Sequence, residues 1–210
     1  MKVLLIGAHP DDIELGAAVA IQWHLWRGDE VFCVTANTGA SDGSYDRNRV
    51  LEQINGLILL GVPADNVQVK FFTMEELAEQ YRMIPIVRDW LSWSGADVVY
   101  THFPQDTHRD HVYLAQAVIP AARMCQALLF FETPSTQQFS PTLYLPAHDG
   151  LDDMKIAAIA KHESQVSRLA CDLNLLDWAR GLMTHRGYEF RTGPVEAYAV
   201  HKMNWGAWLS

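Results

Sequence analysis

Two short stretches of this chain crowd histidine and aspartate together. The first reads Ala8-His9-Pro10-Asp11-Asp12-Ile13-Glu14-Leu15-Gly16, the second Asp106-Thr107-His108-Arg109-Asp110-His111. His9 and Asp12 stand three positions apart, and so do His108 and His111. On a tight turn or a first helical turn, such pairs project from the same side. Imidazole nitrogens and carboxylate oxygens are zinc ligands, and three of them with one open position make a catalytic centre. The spacing assigns His9, Asp12 and His111 as the ligands. Asp11 is then left beside the metal, suited to act as general base on a water molecule. His108 is left on the other side, suited to stabilise an oxyanion or to protonate a departing group. Asp110 is suited to orient one of the histidines. Ferrous iron is the alternative metal, because an imidazole and carboxylate site does not exclude it.

Each cluster taken alone has a plainer explanation. Aspartates that follow a strand often cap the next helix and complement its dipole. Two clusters on plausibly adjacent strands are harder to explain that way, so the elements that carry them matter. Val3 to Ile6 reads as a buried strand, followed by a helix through Ile13, Ala17, Ile21 and His24 that stops at Gly28. Val31 to Thr35 is a second strand, and the Gly- and Ser-rich stretch from Asn37 to Asp46 a loop. Val50, Ile54 and Leu57 mark a helix ending near Gly61. Val67 to Phe72 is a third strand, and Leu77, Tyr81 and Ile84 begin a helix that Pro85 should break or kink. Asp97 to Thr101 is a fourth strand. A loop over 102–107, a helix from about 109 to Pro120 and a fifth strand, Ala127 to Phe131, follow.

This alternation predicts an α/β fold: a single domain over residues 1–210, with a Rossmann-like, mostly parallel sheet and helices on both faces. The last third is less regular, with helices over Met154 to His162 and Leu173 to Thr184 and a late strand over Val195 to His201. In a doubly wound sheet of order 3-2-1-4-5, strands one and four are neighbours where the strand order reverses, and ligands bind beyond their carboxyl ends. Both clusters would then face one crevice.

Composition narrows the partners. The 210 residues carry a formal net charge of −9. That balance argues against nucleic acid or an anionic membrane surface as partner. No apolar stretch approaches the roughly 20 residues that span a bilayer, and the opening run Val3-Leu4-Leu5-Ile6 is too short for a signal segment. Cys33, Cys125 and Cys171 form no framework, which fits a reducing compartment and a cytoplasmic protein. The turn after the first strand lacks the G-x-G-x-x-G pattern, and its paired aspartates would repel a pyrophosphate, so a dinucleotide is disfavoured. Two rival readings remain. One is a non-catalytic sugar- or nucleotide-binding module on a Rossmann-like scaffold. The other is a metal-dependent hydrolase of another ester or amide class, such as a phosphoesterase.

The two clusters resemble the hallmarks of the PIG-L/LmbE-like deacetylase family. Ala8 to Gly16 is similar to its A-H-P-D-D-x-E-x-G stretch, and His108 to His111 to its H-x-D-H. Further resemblance covers most of the chain: Arg49 and Glu52 before Leu60-Gly61-Val62, Lys155 with His162-Glu163-Ser164-Gln165, and Glu196-Ala197-Tyr198. The resemblance implies zinc-dependent hydrolysis of an N-acetyl group on an amino sugar or N-acetylglucosamine conjugate. Family members act on N-acetylglucosamine joined to phosphatidylinositol, inositol or malate, on chitin-derived sugars and on amino-sugar antibiotics. By motif position it implies His9, Asp12 and His111 as ligands, Asp11 as base, His108 as support for the tetrahedral intermediate and Arg49 near the substrate. Glu14 matches an acidic residue with a supporting role. Some members place a tyrosine just before H-x-D-H; here Asp106 stands two residues before His108, and the nearby Tyr100 belongs to the strand, so no tyrosine is expected to assist. Asn37 and Asp42 could then offer contacts to sugar hydroxyls, and Arg47 or Arg49 could bind a phosphate or carboxylate. Trp90, Trp93, Trp178, Trp205 and Trp208 could stack on sugar rings, although core or interface packing explains most of them more simply. The tail holding Trp205 and Trp208 could pack on a second subunit of a homo-oligomer.

Overall fold

The computed structural model describes residues 1–38, 44–166, 174–204 and 206. Asp42, Cys171, Trp205 and Trp208 lie outside them. Strand β1 (Lys2–Gly7) is buried from Val3 onward. Its side chains alternate between two apolar layers, which is why the run is apolar throughout rather than at every second position. Val3 and Leu5 pack with Ile13, Ala17 and Ile21 of helix α1 (Asp12–Trp26), Leu57 of α2 (Arg47–Leu59) and Ala158 of α6 (Leu151–Ile159). Leu4 and Ile6 face the other way. They meet α4 (Gln80–Ser94), through Met83, Val87 and Trp90, and α5 (Arg109–Ala121), through Leu114 and Val118.

The sheet runs β3-β2-β1-β4-β5-β7-β6, with β2 at Glu30–Thr35, β3 at Val67–Val69, β4 at Val98–His102, β5 at Ala127–Phe131, β6 at Leu143–Pro146 and β7 at Val195–Met203. The first five pair in parallel, with Leu5 of β1 opposite Cys33 of β2 and Tyr100 of β4. The expected order of five strands is therefore present, and β1 and β4 are neighbours where the chain changes direction. Strand β7 then pairs antiparallel with β5, and β6 with β7. β6 escapes the sequence reading because its four residues are only half-buried and carry no long apolar run.

Several boundaries differ from expectation. β3 is shorter, and the strand before the second cluster is shifted one residue toward the C-terminus, so His102 ends β4 instead of opening a loop. The third helix is two helices. The first, α3 (Met74–Ala78), starts in a capping box in which Thr73 and Glu76 bond each other's backbone, and the break falls at Glu79. Pro85 sits inside α4, near its start. In the last third, α7 (Glu163–Val166) is a single turn, and α8 (Leu175–Phe190) continues past Thr184. Trp90 lies in the core beside Phe72, and Trp178 packs on the cluster around α6 and α8. Among the described residues no helix is long and apolar enough to cross a membrane.

Helix α1 is interrupted at Ala17, whose φ of −149° and ψ of 22° are not helical. The neighbouring Gly16 presses against Phe131 so closely that a Cβ there would lie 2.3 Å from the ring. A break inside the core strands backbone groups, which carry a desolvation cost when unpaired. A buried ion pair satisfies them. Lys155 Nζ donates to Leu15 O at 2.7 Å and to Glu196 Oε1 at 2.7 Å, while the Glu196 carboxylate accepts from the N–H groups of Val19 and Ala20 at 3.0 Å each. Replacing Lys155 by methionine keeps the aliphatic bulk but leaves Glu196 buried without its counter-charge. Lys155→Met is expected to cost about 3–5 kcal/mol, read as a lower urea midpoint at an unchanged slope.

Candidate active site

The two clusters leave neighbouring strands at the same edge of the sheet. β1 ends at Gly7, the chain turns through Ala8 to Asp11, and α1 begins at Asp12. β4 ends at His102, and His108 is the N-cap of α5, which puts Asp110 and His111 in its first turn. Because β1 and β4 are paired in parallel, both helix starts lie side by side at one edge of the sheet. The turn is tight: a Cβ on Gly7 would lie 2.9 Å from Ile13 Cγ1.

The Asp12 carboxylate sits where the clusters meet. One oxygen, Oδ2, accepts the N–H of His9 at 2.7 Å and lies 3.5 Å from His9 Nδ1 and 3.2 Å from His102 Nε2. The other, Oδ1, lies 3.4 Å from His111 Nε2. The far nitrogens of both predicted ligand histidines meet carboxylates. His9 Nε2 is 2.8 Å from Asp110 Oδ2, and His111 Nδ1 is 3.1 Å from Asp106 Oδ2. His108 stacks on His111 with ring centroids 4.6 Å apart and lies 4.5 Å from the His9 ring. It is the exposed member of the group. Two overlapping trios have donor atoms close enough to share one cation: His9, His108 and His111, and Asp12, His102 and His111.

Electrostatics follow the same contacts. Burial opposes charge on Asp12, but His111 and His102 beside it hold its carboxyl well below the usual range. Asp11 has the reverse balance. Burial, reinforced by the charge of Asp12, pushes it up to about 7 despite His162, Arg49 and His9. Burial lowers His111, yet Asp12 and Asp106 outweigh it and raise the group to about 10. His9 is raised as well, since Asp110 and Asp12 overcome its burial. His108 is lowered, by burial first and then by the neighbouring His9 and His111. His102 falls to about 4, through burial and the facing His111.

The other anticipated residues differ in their placement. Asn37 is buried at the end of the β2 segment, its N–H bonded to Ala8 O at 2.8 Å. Arg49 is buried, with Nη2 donating to Pro10 O at 2.9 Å and lying 3.9 Å from Asp11 Oδ2; its Nε finds no hydrogen-bond partner among the described residues. Asp42 falls outside those residues. The sequence reading missed His102, which accepts the Ala8 N–H at 2.9 Å and stacks on His111 at 3.9 Å. A histidine closing a strand at the switch point was the available signal. It also missed Gln53, which accepts the Asp11 N–H at 3.1 Å. Nothing in the helical pattern around Gln53 marks it. Asp106 is a partner of His111.

Fold and site together define a Rossmann-like α/β protein with a buried histidine and carboxylate centre at its switch point. The family model described as PIG-L, GlcNAc-PI de-N-acetylase, matches residues 4–122. The chain is 34% identical over 170 residues to the uncharacterised deacetylase YaiS of Escherichia coli K12, covering 77% of this chain and 90% of that protein. Among solved structures it is similar to the conserved protein TT1542 of Thermus thermophilus, with a TM-score of 0.81, 18% identity and coverage of 96% of this chain and 94% of the other. It also resembles N,N'-diacetylchitobiose deacetylase of Pyrococcus horikoshii, with a TM-score of 0.77, 19% identity and coverage of 99% and 88%. The chain belongs to the PIG-L, or LmbE-like, family of deacetylases.

The pairing of His111 with Asp106 can be checked without any substrate. In Asp106→Asn the imidazole of His111 is expected to titrate at lower pH, because one of the two carboxylates that raise it loses its charge. Ring resonances followed by NMR across a pH series measure this, and an unshifted titration would contradict the pairing.

Proposed function

We propose that this protein is a metal-dependent N-deacetylase that releases acetate from an amino sugar or an N-acetylglucosamine conjugate. One observation carries the reading. The nitrogens of His9 and His111 nearest Asp12 approach a shared carboxylate, while their far nitrogens are bound by Asp110 and Asp106. A carboxylate on the far nitrogen fixes the tautomer and turns the other lone pair inward, a recurring support for metal-ligating histidine. Imidazole and carboxylate donors of this kind suit zinc, with ferrous iron the alternative. His9, Asp12 and His111 would hold the ion; each of the two trios within reach of one cation contains two of these three residues. Zinc in such a site supplies Lewis acidity, polarising a carbonyl and making water nucleophilic near neutral pH.

The chain's own residues supply the rest. Asp11, at about 7, can take a proton near neutral pH and return it. In amide hydrolysis a bond forms between the water oxygen and the carbonyl carbon, and the carbon–nitrogen bond breaks. The proton that Asp11 removes from water goes to the departing amine, and acetate is the second product. His108, at the exposed side of the cluster, is placed to donate a hydrogen bond to the carbonyl oxygen as it gains charge. The unpartnered Nε of buried Arg49 supports a role in binding a substrate oxygen, and Asn37 is bonded through its N–H to Ala8 of the turn that carries His9. Asp42, outside the described residues, is assigned to sugar hydroxyls on the sequence reading alone. Neither a pure binding module nor a phosphoesterase would release acetate.

Four outcomes test the proposal. Screening N-acetylglucosamine conjugates should yield free amine and acetate in equal amounts, and phosphate release without acetate would point to the rival hydrolase. Asp11→Asn is expected to retain bound metal and lose about 100- to 10,000-fold in turnover. His111→Ala should lose the metal itself, and full metal content and activity in that variant would overturn the ligand assignment. Metal binding should also release protons. His111 is raised to about 10, so near neutral pH it is protonated until a cation displaces its proton. Affinity for zinc should thus weaken as pH falls, and calorimetry in buffers of different ionisation enthalpy should count the protons released.

A further inference from the structure

Asp11 has a backbone conformation that L-residues rarely adopt, with φ 109° and ψ −29°. Such strain costs on the order of 1–3 kcal/mol and persists only where the surroundings over-determine it. The surroundings here are specific. The carbonyl of Pro10 and the N–H of Asp11 belong to one peptide unit, and two side chains of α2 hold its two ends. Arg49 Nη2 donates to Pro10 O at 2.9 Å, and the Asp11 N–H donates to Gln53 Oε1 at 3.1 Å. Arg49 and Gln53 stand one helical turn apart, so a single face of α2 carries both. Relaxing Asp11 to negative φ requires that peptide plane to rotate. Rotation would turn both polar ends away from α2 and leave buried groups unpaired.

The orientation of Gln53 is set in turn. Its Nε2 donates to both oxygens of Glu14, at 2.9 and 3.0 Å. A carboxylate only accepts, so the amide must present Nε2 to Glu14 and Oε1 to Asp11. Glu14 is fully buried, and its Oε1 lies 3.1 Å from His162 Nε2. Gly56 of α2 makes room for it: a Cβ there would lie 2.5 Å from Glu14 Oε1. His162 belongs to the last third of the chain, beyond the range that the family model matches.

We propose that Gln53 is the positioning residue for Asp11. With Arg49 it clamps the Pro10–Asp11 peptide, and the Glu14–His162 pair fixes the direction of its amide. The inference rests on the reading of Asp11 as proton acceptor, for it is that side chain's direction that the strained backbone sets.

Two variants and two readouts test it. Gln53→Met keeps the bulk and removes the hydrogen bonds to Asp11 and Glu14. The exchange Gln53→Glu with Glu14→Gln keeps the bond to Asp11 and one of the two bonds between the side chains: the carboxylate at position 53 accepts from Asp11, while the amide nitrogen at position 14 donates to it and the amide oxygen accepts from His162. Amide hydrogen exchange at Asp11 reports the clamp whether or not a substrate is in hand, and acetate release reports its consequence. In Gln53→Met the Asp11 amide should exchange much faster. Its kcat should fall about 10- to 100-fold, as for a misaligned reacting group, with KM and bound metal unchanged. The double exchange should recover both readouts, and it decides the matter should Gln53→Met fold poorly. Unchanged exchange and kcat in Gln53→Met would overturn the proposal, as would a folded double variant that recovers neither. If the parent protein releases acetate from no substrate, the reading of function fails, while hydrogen exchange still decides whether the clamp exists.

Discussion

The Asp12 carboxylate is the point at which two distant parts of the chain are held together, and its surroundings explain much of the site. Its oxygens face His9 from their own turn, His111 from the first turn of α5 and His102 from the end of β4. Such a carboxylate, buried and surrounded by imidazoles, is held strongly ionised by them, and it raises His111 in return. The pairing of β1 with β4 makes the encounter unavoidable, because it sets both helix starts at one edge. The same encounter separates the two adjacent aspartates. Asp12 takes the imidazoles, and Asp11, one residue away, is left with burial and a like charge that push it upward. Neighbouring carboxyl groups with diverging proton affinities are the usual basis for dividing an acid–base task.

Behind the cluster lies a second set of buried charges that touches none of the predicted ligand side chains. Glu196 and Lys155 close the gap in α1, and Glu14 and His162 hold Gln53. The first pair ties α1, and the second, through Gln53, the turn after β1, to residues from the last third of the chain. The ion pairs are enclosed and multiply hydrogen-bonded, a geometry in which removing one partner costs more than the pair contributes. The helix that presents Asp12 is thus irregular for a reason: it bends past Phe131 at Gly16, and the groups exposed by the bend are bonded by side chains from α6 and β7.

Much of this was legible from the sequence, at a particular scale. The apolar run of β1, the helical spacing after Ile13 and the two Asp- and His-rich turns predicted a doubly wound sheet with both clusters at the switch point. β6 was missed because a short, half-buried edge strand leaves almost no pattern. The sequence places the break near Pro85, but it lies at Glu79, where the short helix opened by the Thr73 capping box ends and α4 begins. His102 and Gln53 went unseen. A lone histidine after a strand and a glutamine on an amphipathic helix look the same in sequence whether or not they touch a site.

The sequence by itself determined what short-range rules govern: which segments are strands or helices, where turns fall, and which residue types gather in each turn. Those features depend on neighbours within a turn or two, so local spacing carries them. Only the tertiary structure decided the partners: Asp110 on His9, Asp106 on His111, Gln53 on the strained Asp11, and Glu196 on the broken helix. These contacts join groups that must meet within about 3 Å, most of them from residues far apart in sequence. That distance is set by strand register and helix packing acting together, and no local pattern encodes it.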